Sequence, residues 1–260
     1  MSGTLVTLPE FGPPAQAELQ AALAMLRHRT GLVRAADFLG RFMAQAGKFT
    51  LARLGMNPSV RAGFSGVAEA ALSRAYDVAI LGLDRPDSAL GTRAGSPLVI
   101  ASGAVSGFAG IAGFLPDAAL TTLVIMRDVA RIARDAGEDL ATQDARSACL
   151  EVFALRGDED EMGYFSARLM LHGRPMTQIL GQVASRYGVV LGEKFSAQAV
   201  PLAGAVAGAA LNAAFLDHYR NLATAHFTIR RLERGYGRDT VRLAAGASLN
   251  RVRDEPFMPA

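Results

Sequence analysis

Apolar positions recur at helical spacing along nearly the whole chain, and no alternating strand pattern of useful length interrupts them. Ala15 to His28 reads as a first helix, with Leu19, Leu23 and Leu26 on one stripe. Leu32 to Leu54 reads as a second, stopped by Gly55 and Pro58. Val60 to Leu83 makes a third, with Val67, Ala71, Ala75 and Val78 turned inward, closed by the turn Asp84-Arg85-Pro86-Asp87. A polar loop with two prolines and two glycines follows from Arg85 to Pro97. The pattern then predicts an apolar helix over Leu98–Phe114, a break at Leu115-Pro116, and a helix from Asp117 to Ala136. Asp117 stands where an N-cap belongs and Gly137 where a left-handed C′ residue belongs.

Further along, Thr142 caps a helix running to Leu155, and the acidic run Asp158-Glu159-Asp160-Glu161 starts another, favourably placed against its dipole. Thr177–Ala197 and Leu202–Arg234 complete the set. The expected architecture is all-α: a single bundle of about eight or nine helices around two central Gly/Ala-rich apolar helices. Residues 1–14 form a flexible N-terminal segment, 15–246 the helical domain, and 247–260 a frayed tail.

Two stretches of the pattern echo each other. Gly103-Ala104-Val105-Ser106-Gly107 matches Gly204-Ala205-Val206-Ala207-Gly208, and each leads into a Phe-Leu pair, Phe114-Leu115 and Phe215-Leu216. After a one-residue slip, Asp117 matches Asp217, Arg131 matches Arg231, Arg134 matches Arg234, Gly137 matches Gly237 and Asp139 matches Asp239. Small residues four apart let two backbones approach closely, so the echo suggests two segments packed face to face about a pseudo-twofold. Chance matching in a chain rich in Ala, Gly and Arg is the other explanation.

Both echoing segments contain an uncharged run of 18 residues, Leu98–Leu115 and Ala199–Leu216. A spanning helix needs about 20 apolar residues, and these runs are built of Gly, Ala and Ser, which contribute little transfer energy. Burial in the bundle, contact with lipid without crossing, and a true span are all compatible with them. The mean hydropathy of +0.21 has its source here.

Composition narrows the partners. The net charge is +3, but the 27 basic residues divide into 25 Arg and 2 Lys, the ratio that a GC-rich genome produces. The densest cluster, Arg230, Arg231, Arg234, Arg238 and Arg242, is interleaved with Glu233 and Asp239 and has no aromatic stacking platform. Nucleic-acid binding is therefore disfavoured. The single Cys149 excludes an intrachain disulfide and a thiolate cage. Met1 to Pro14 lacks the basic and apolar regions of a secretory signal, so the expected location is cytoplasmic.

No signature of a known reaction is present: no phosphate-binding loop, no Gly-x-Ser-x-Gly elbow and no His-Glu-x-x-His. His218 and His226 lie eight apart on one helix and share a side only loosely, so packing is expected rather than metal ligation. Cys149 reads as an inert buried thiol. No metal, cofactor or catalytic residue is expected. One candidate ligand site remains: Asp117, Asp217, Arg131 and Arg231 could line a polar pocket between the echoing halves, although N-capping is the better explanation of the aspartates.

Gly103 to Leu140, with its Gly-rich helix, Leu115-Pro116, Arg127, Arg131-Ile132-Ala133 and Gly137-x-Asp139, resembles the EcsC family of bacterial proteins. Val200-Pro201, Gly204, Gly208, Asn212, Phe215, Phe227, Arg231-Leu232-Glu233 and Tyr236-Gly237 resemble that family's closing segment, so the likeness covers roughly residues 30 to 240. One departure is Ala136, where the family's tyrosine precedes the first motif's glycine; Tyr236 keeps it in the second. The family is named from a gene beside an ABC-transporter operon. The resemblance implies a helical, often membrane-associated protein of undefined biochemistry and carries over no catalytic residue. The expected function is a non-enzymatic accessory at the inner face of a membrane, binding lipid or a membrane transporter through its Gly-rich helices. The competing expectation is a soluble enzyme or small-ligand binder using the polar pocket.

Overall fold

A computed structural model describes residues 11–27, 58–81, 83, 111–155, 161–171, 174–198 and 204–254. Among these residues the chain is all-α, with eight α-helices and no strand. They are α1 (Pro13–Arg27), α2 (Pro58–Ala79), α3 (Ile111–Asp135), α4 (Gln143–Glu151), α5 (Glu161–Leu171), α6 (Met176–Gln198), α7 (Gly204–Tyr236) and α8 (Arg238–Asp254). A short 3₁₀ turn, Val152–Ala154, extends α4. The helix expected over Leu32–Leu54, the Arg85–Pro97 loop and most of the Leu98–Leu115 run lie outside the described residues.

α1 buries Leu19, Leu23 and Leu26, the stripe its spacing predicts, against α7. In α2 the inward face is rotated from the expected one. Ala68, Leu72, Ala75, Tyr76 and Ala79 are buried, whereas Ala71 is half-buried and Val78 is 46 % exposed. The aromatic ring decides the rotation: Tyr76 inserts its ring into the core and donates to the Leu140 carbonyl at 2.8 Å.

The expected break at Leu115-Pro116 is absent, and α3 runs through Pro116 as one helix. Pro116 lies inside α3 and removes one intrahelical N–H, yet the helix continues past it to Asp135. The consequence for Asp117 is large. It is not an N-cap but an interior helical residue, 2 % exposed. The C-terminal expectation holds. Gly137 has φ +85°, the Glu138 N–H reaches the Ala133 carbonyl at 3.0 Å, and the Gly137 N–H reaches that of Arg134 at 2.8 Å. This double bond pattern is the Schellman ending, which needs a left-handed residue at C′. Thr142 also caps as expected, accepting from the Ala145 N–H at 3.2 Å.

α7 spans 33 residues, about 50 Å at 1.5 Å per residue. It is separated from α8 by Gly237 alone, at φ +88°. α8 extends past Gly246, where the frayed tail was expected to begin, to Asp254. Its apolar signal is faint, because Val241 and Ala245 are the buried hydrophobics it contributes among the described residues.

Three polar contacts fix how α3 lies against α7. Asn212 bonds Asp117 at 2.8 Å, Arg220 bonds Asp128 at 2.6 Å, and Arg230 bonds Glu138, just past the end of α3, at 2.9 Å. Partners advance together along both helices, so the pair is parallel. The separations in sequence are 95, 92 and 92, whereas the echo repeats at about 100. The echoing residues are thus not level but staggered by roughly 5 to 8 positions, about 8–12 Å along the axis. Around this pair pack α1, α2 and α6. The core between α3, α6, α7 and the 3₁₀ turn holds Phe153, Tyr187 and Tyr219 in mutual ring contact at 5.0–5.9 Å, with the Tyr187 hydroxyl 2.9 Å from that of Thr122.

Candidate functional site

The four residues singled out from the sequence do not converge. Asp117 is buried against Asn212. Asp217 is exposed and accepts from Asn221 on its own helix at 3.4 Å. Arg131 pairs with Asp128 one turn back at 3.4 Å. Arg231 is exposed and pairs with Glu18 of α1. Asp117 and Arg131 lie 14 residues apart on α3, and Asp217 and Arg231 the same on α7, so each pair is separated by about 21 Å. One small pocket cannot use all four.

Polar side chains instead gather at the C-terminal ends of α3 and α7. Arg168 of α5 meets Glu233 of α7 in a two-pronged bond, 2.8 Å on each arm. Arg230 makes two bonds to Glu138, at 2.9 and 3.1 Å, and a third to Asp144 at 2.6 Å. Arg234 joins Glu138 as well and donates to the Ala136 carbonyl at 2.6 Å. The fork of a guanidinium suits this bidentate use. Burial alone would raise the Glu138 carboxyl, but bonds and charge from Arg230 and Arg234 outweigh it and hold it below its ordinary value.

Between these pairs sit Glu151, at the end of α4, and His226, in mid α7. The His226 side chain is fully buried and that of Glu151 is 10 % exposed. The His226 Nδ1 atom is 3.1 Å from the Tyr164 hydroxyl. Its Nε2 atom and Glu151 Oε2 have no hydrogen-bond partner, and they face each other at 3.8 Å. Burial raises the Glu151 carboxyl, and the guanidiniums of Arg168 and Arg230 offset this only in part. Burial, followed by the same two cations, pushes the imidazole well below its ordinary value, so His226 is neutral.

A cleft of about 140 Å³ opens beside this pair. Its inner wall is formed by Glu151, Arg168, Arg230 and Glu233, with the Phe165 ring on one side. Asp144, Leu169, Arg238, Asp239 and Arg242, all exposed, form its mouth. Among the described residues no three His, Cys, Asp or Glu side chains converge as metal ligands. Cys149 is fully buried and burial pushes its thiol up, as expected of an unreactive core residue.

Sequence reasoning missed this cluster. It read Arg230, Arg231, Arg234, Arg238 and Arg242 only as the densest basic cluster, unsuited to nucleic acid, and His226 as packing. The carboxylates that answer Arg230 and Arg234 are Glu138 and Asp144, 86 to 96 positions away. One local signal existed: Glu233 and Asp239 stand among those arginines, as in a charge-matched cluster rather than an anion-binding face.

Residues 92–232 match the EcsC protein family, a segment reaching from before α3 to near the end of α7. No curated protein and no solved structure matches the chain.

Proposed function

Since this chain belongs to the EcsC protein family, we propose that it is a non-enzymatic accessory which docks on a membrane, contacting lipid or a membrane partner such as a transporter, through the N-terminal ends of α3 and α7. The observation that carries this reading is the parallel pairing of the two helices. It puts the described parts of both uncharged runs, 111–115 on α3 and 204–216 on α7, at the same end of the molecule. The Arg–carboxylate cluster lies at the other end. An end with no charged side chain on either central helix suits an apolar surface, and the opposite end suits water. Among the described residues no helix is long and apolar enough to cross a membrane, so the proposal is attachment without spanning.

The pseudo-twofold relation between the two segments belongs to the same proposal. It is supported by Gly137 and Gly237, which stand at matching motif positions and share a left-handed backbone, and it is qualified by the stagger described above. Vesicle flotation tests the attachment. The purified chain should rise with neutral and anionic liposomes alike and stay bound in high salt, because apolar contact is not screened. Recovery of all the protein in the bottom fraction with both vesicle types would defeat the proposal.

A further inference from the structure

At the charged end, three buried side chains from three helices follow one another: Tyr164 of α5, His226 of α7 and Glu151 of α4. The Tyr164 hydroxyl lies 3.1 Å from Nδ1 of the imidazole, and Glu151 Oε2 lies 3.8 Å from its Nε2 atom. Neither Oε2 nor Nε2 has a hydrogen-bond partner. Buried polar atoms left so are rare and costly, and closing the gap by about 1 Å would join these two to each other. Both atoms are sealed from solvent, so no ligand is called for. A proton alone reaches them, in brief local openings.

What each atom can do is limited. A neutral imidazole carries one proton, so one ring nitrogen donates and the other accepts. Burial, with Arg168 and Arg230 nearby, keeps the ring of His226 from taking a second proton. The Tyr164 hydroxyl keeps its proton, because burial pushes it up, and a hydroxyl either donates or accepts. Glu151 is the member that changes. Ionised, it only accepts, so Nε2 carries the ring proton and Nδ1 accepts from Tyr164. Protonated, Oε2 donates to the lone pair of Nε2, and the ring proton moves to Nδ1, which donates to Tyr164. The two arrangements differ by one proton and run in opposite directions. The imidazole stays neutral in both.

We infer that Tyr164, His226 and Glu151 form a buried relay, in which the proton on Glu151 sets the tautomer of His226 and with it the direction of the hydrogen bond to α5. The charged groups around the relay are held by other bonds, Arg168 by Glu233 and Arg230 by Glu138 and Asp144. Of these, Arg168 and Arg230 favour the ionised carboxylate, whereas Asp144 and Glu233 favour the protonated one. Cys149, on the same helix as Glu151, stays a neutral thiol, and Arg186 of α6 donates to the Ala154 carbonyl at 3.2 Å. Burial raises the Glu151 carboxyl, so low pH gives the Nδ1–H form and rising pH converts it to the Nε2–H form. Glu151 also forms part of the cleft wall, and the relay carries the charge state of that wall to α5.

The test is a titration of the full chain, labelled with ¹⁵N and ¹³C, from about pH 4, near the ordinary value of Glu, to about pH 9. The His226 ring nitrogens and the Glu151 carboxyl carbon are followed together. Nδ1 should start with the shift of a protonated nitrogen and Nε2 with that of a lone pair. They should trade places in one step, at the pH where the Glu151 carbon titrates. Glu151→Gln should abolish the exchange and leave a single tautomer throughout. The wild-type titration decides the matter even where that variant does not fold. Ring nitrogens that keep one tautomer across the range overturn the inference. Movement of both towards the protonated shift overturns it as well, since the ring would then be charging, and so does an exchange that persists in Glu151→Gln.

Discussion

The two ends of the α3–α7 pair solve the same packing problem with opposite chemistry. At the N-terminal end the helices carry no charge before Asp117 and Asp217, and the Asp117–Asn212 contact joins them. At the C-terminal end the contacts are arginines and carboxylates drawn from α4, α5, α7 and the segment just past α3. Small side chains permit close backbone approach but do little to fix a register. Bidentate ion pairs fix it closely while depending on every partner being present. The two aspartates of the echo show the contrast in miniature: one is sealed in the helix interface, its counterpart is in solvent.

The largest expected effect comes from breaking the charged end. Arg168→Ala leaves Glu233 and Glu151 buried without their shared cation, and should cost about 3–5 kcal/mol in denaturant melts. If the loss is below 1 kcal/mol, the cluster is not what holds that end together.

At the other end, Asn212→Ala removes the donor to the buried Asp117 carboxylate. A loss of about 1–3 kcal/mol is expected, against a change within about 0.5 kcal/mol for Asp217→Asn at the exposed position. Equal effects at the two sites would erase the distinction between buried and solvated aspartate.

The glycines sharpen the echo. Gly137→Ala and Gly237→Ala each force a side chain into left-handed backbone, at roughly 1–2 kcal/mol. A Cβ on Gly137 would meet nothing closer than Arg234 Nη2, at 3.7 Å, so the penalty there is conformational. Similar losses in thermal melts would fit equivalent helix endings. A cost at only one would mean that the matching glycines do different work.

The smallest effect concerns Glu151, whose carboxyl is raised by burial. The folded chain then keeps a proton that the unfolded chain releases above about pH 4.3. Wild-type stability therefore falls as pH rises from that value through the raised one. Glu151→Gln escapes this loss, so its Tm should match wild type near pH 4 and exceed it by a few degrees at pH 8. A Tm difference that does not vary with pH would show that Glu151 ionises as freely in the fold as outside it.

Local periodicity made the all-α class and several helix boundaries legible. The Leu19, Leu23 and Leu26 stripe, the Thr142 cap and the Gly137 ending are each decided by neighbours a few residues away. Two errors arose where one residue outweighed the pattern. Pro116 was given the power to stop a helix that in fact runs through it, and the ring of Tyr76 turned α2 away from its small-residue stripe. α8 went unseen because it buries little apolar surface, Val241 and Ala245 being its buried hydrophobics among the described residues. The charged cluster was illegible for another reason: Arg168 and Glu233 are 65 positions apart, and no spacing rule connects residues brought together by tertiary packing.

The contrast between the ends is tested most directly by amide hydrogen exchange of the unmodified chain with and without neutral phospholipid vesicles. Added protection should fall on 111–115 and 204–216, with exchange unchanged around Glu151, Glu233 and the start of α8. Unchanged exchange in those two segments, or protection gathered at the charged end instead, would contradict the assignment of the apolar end to the membrane.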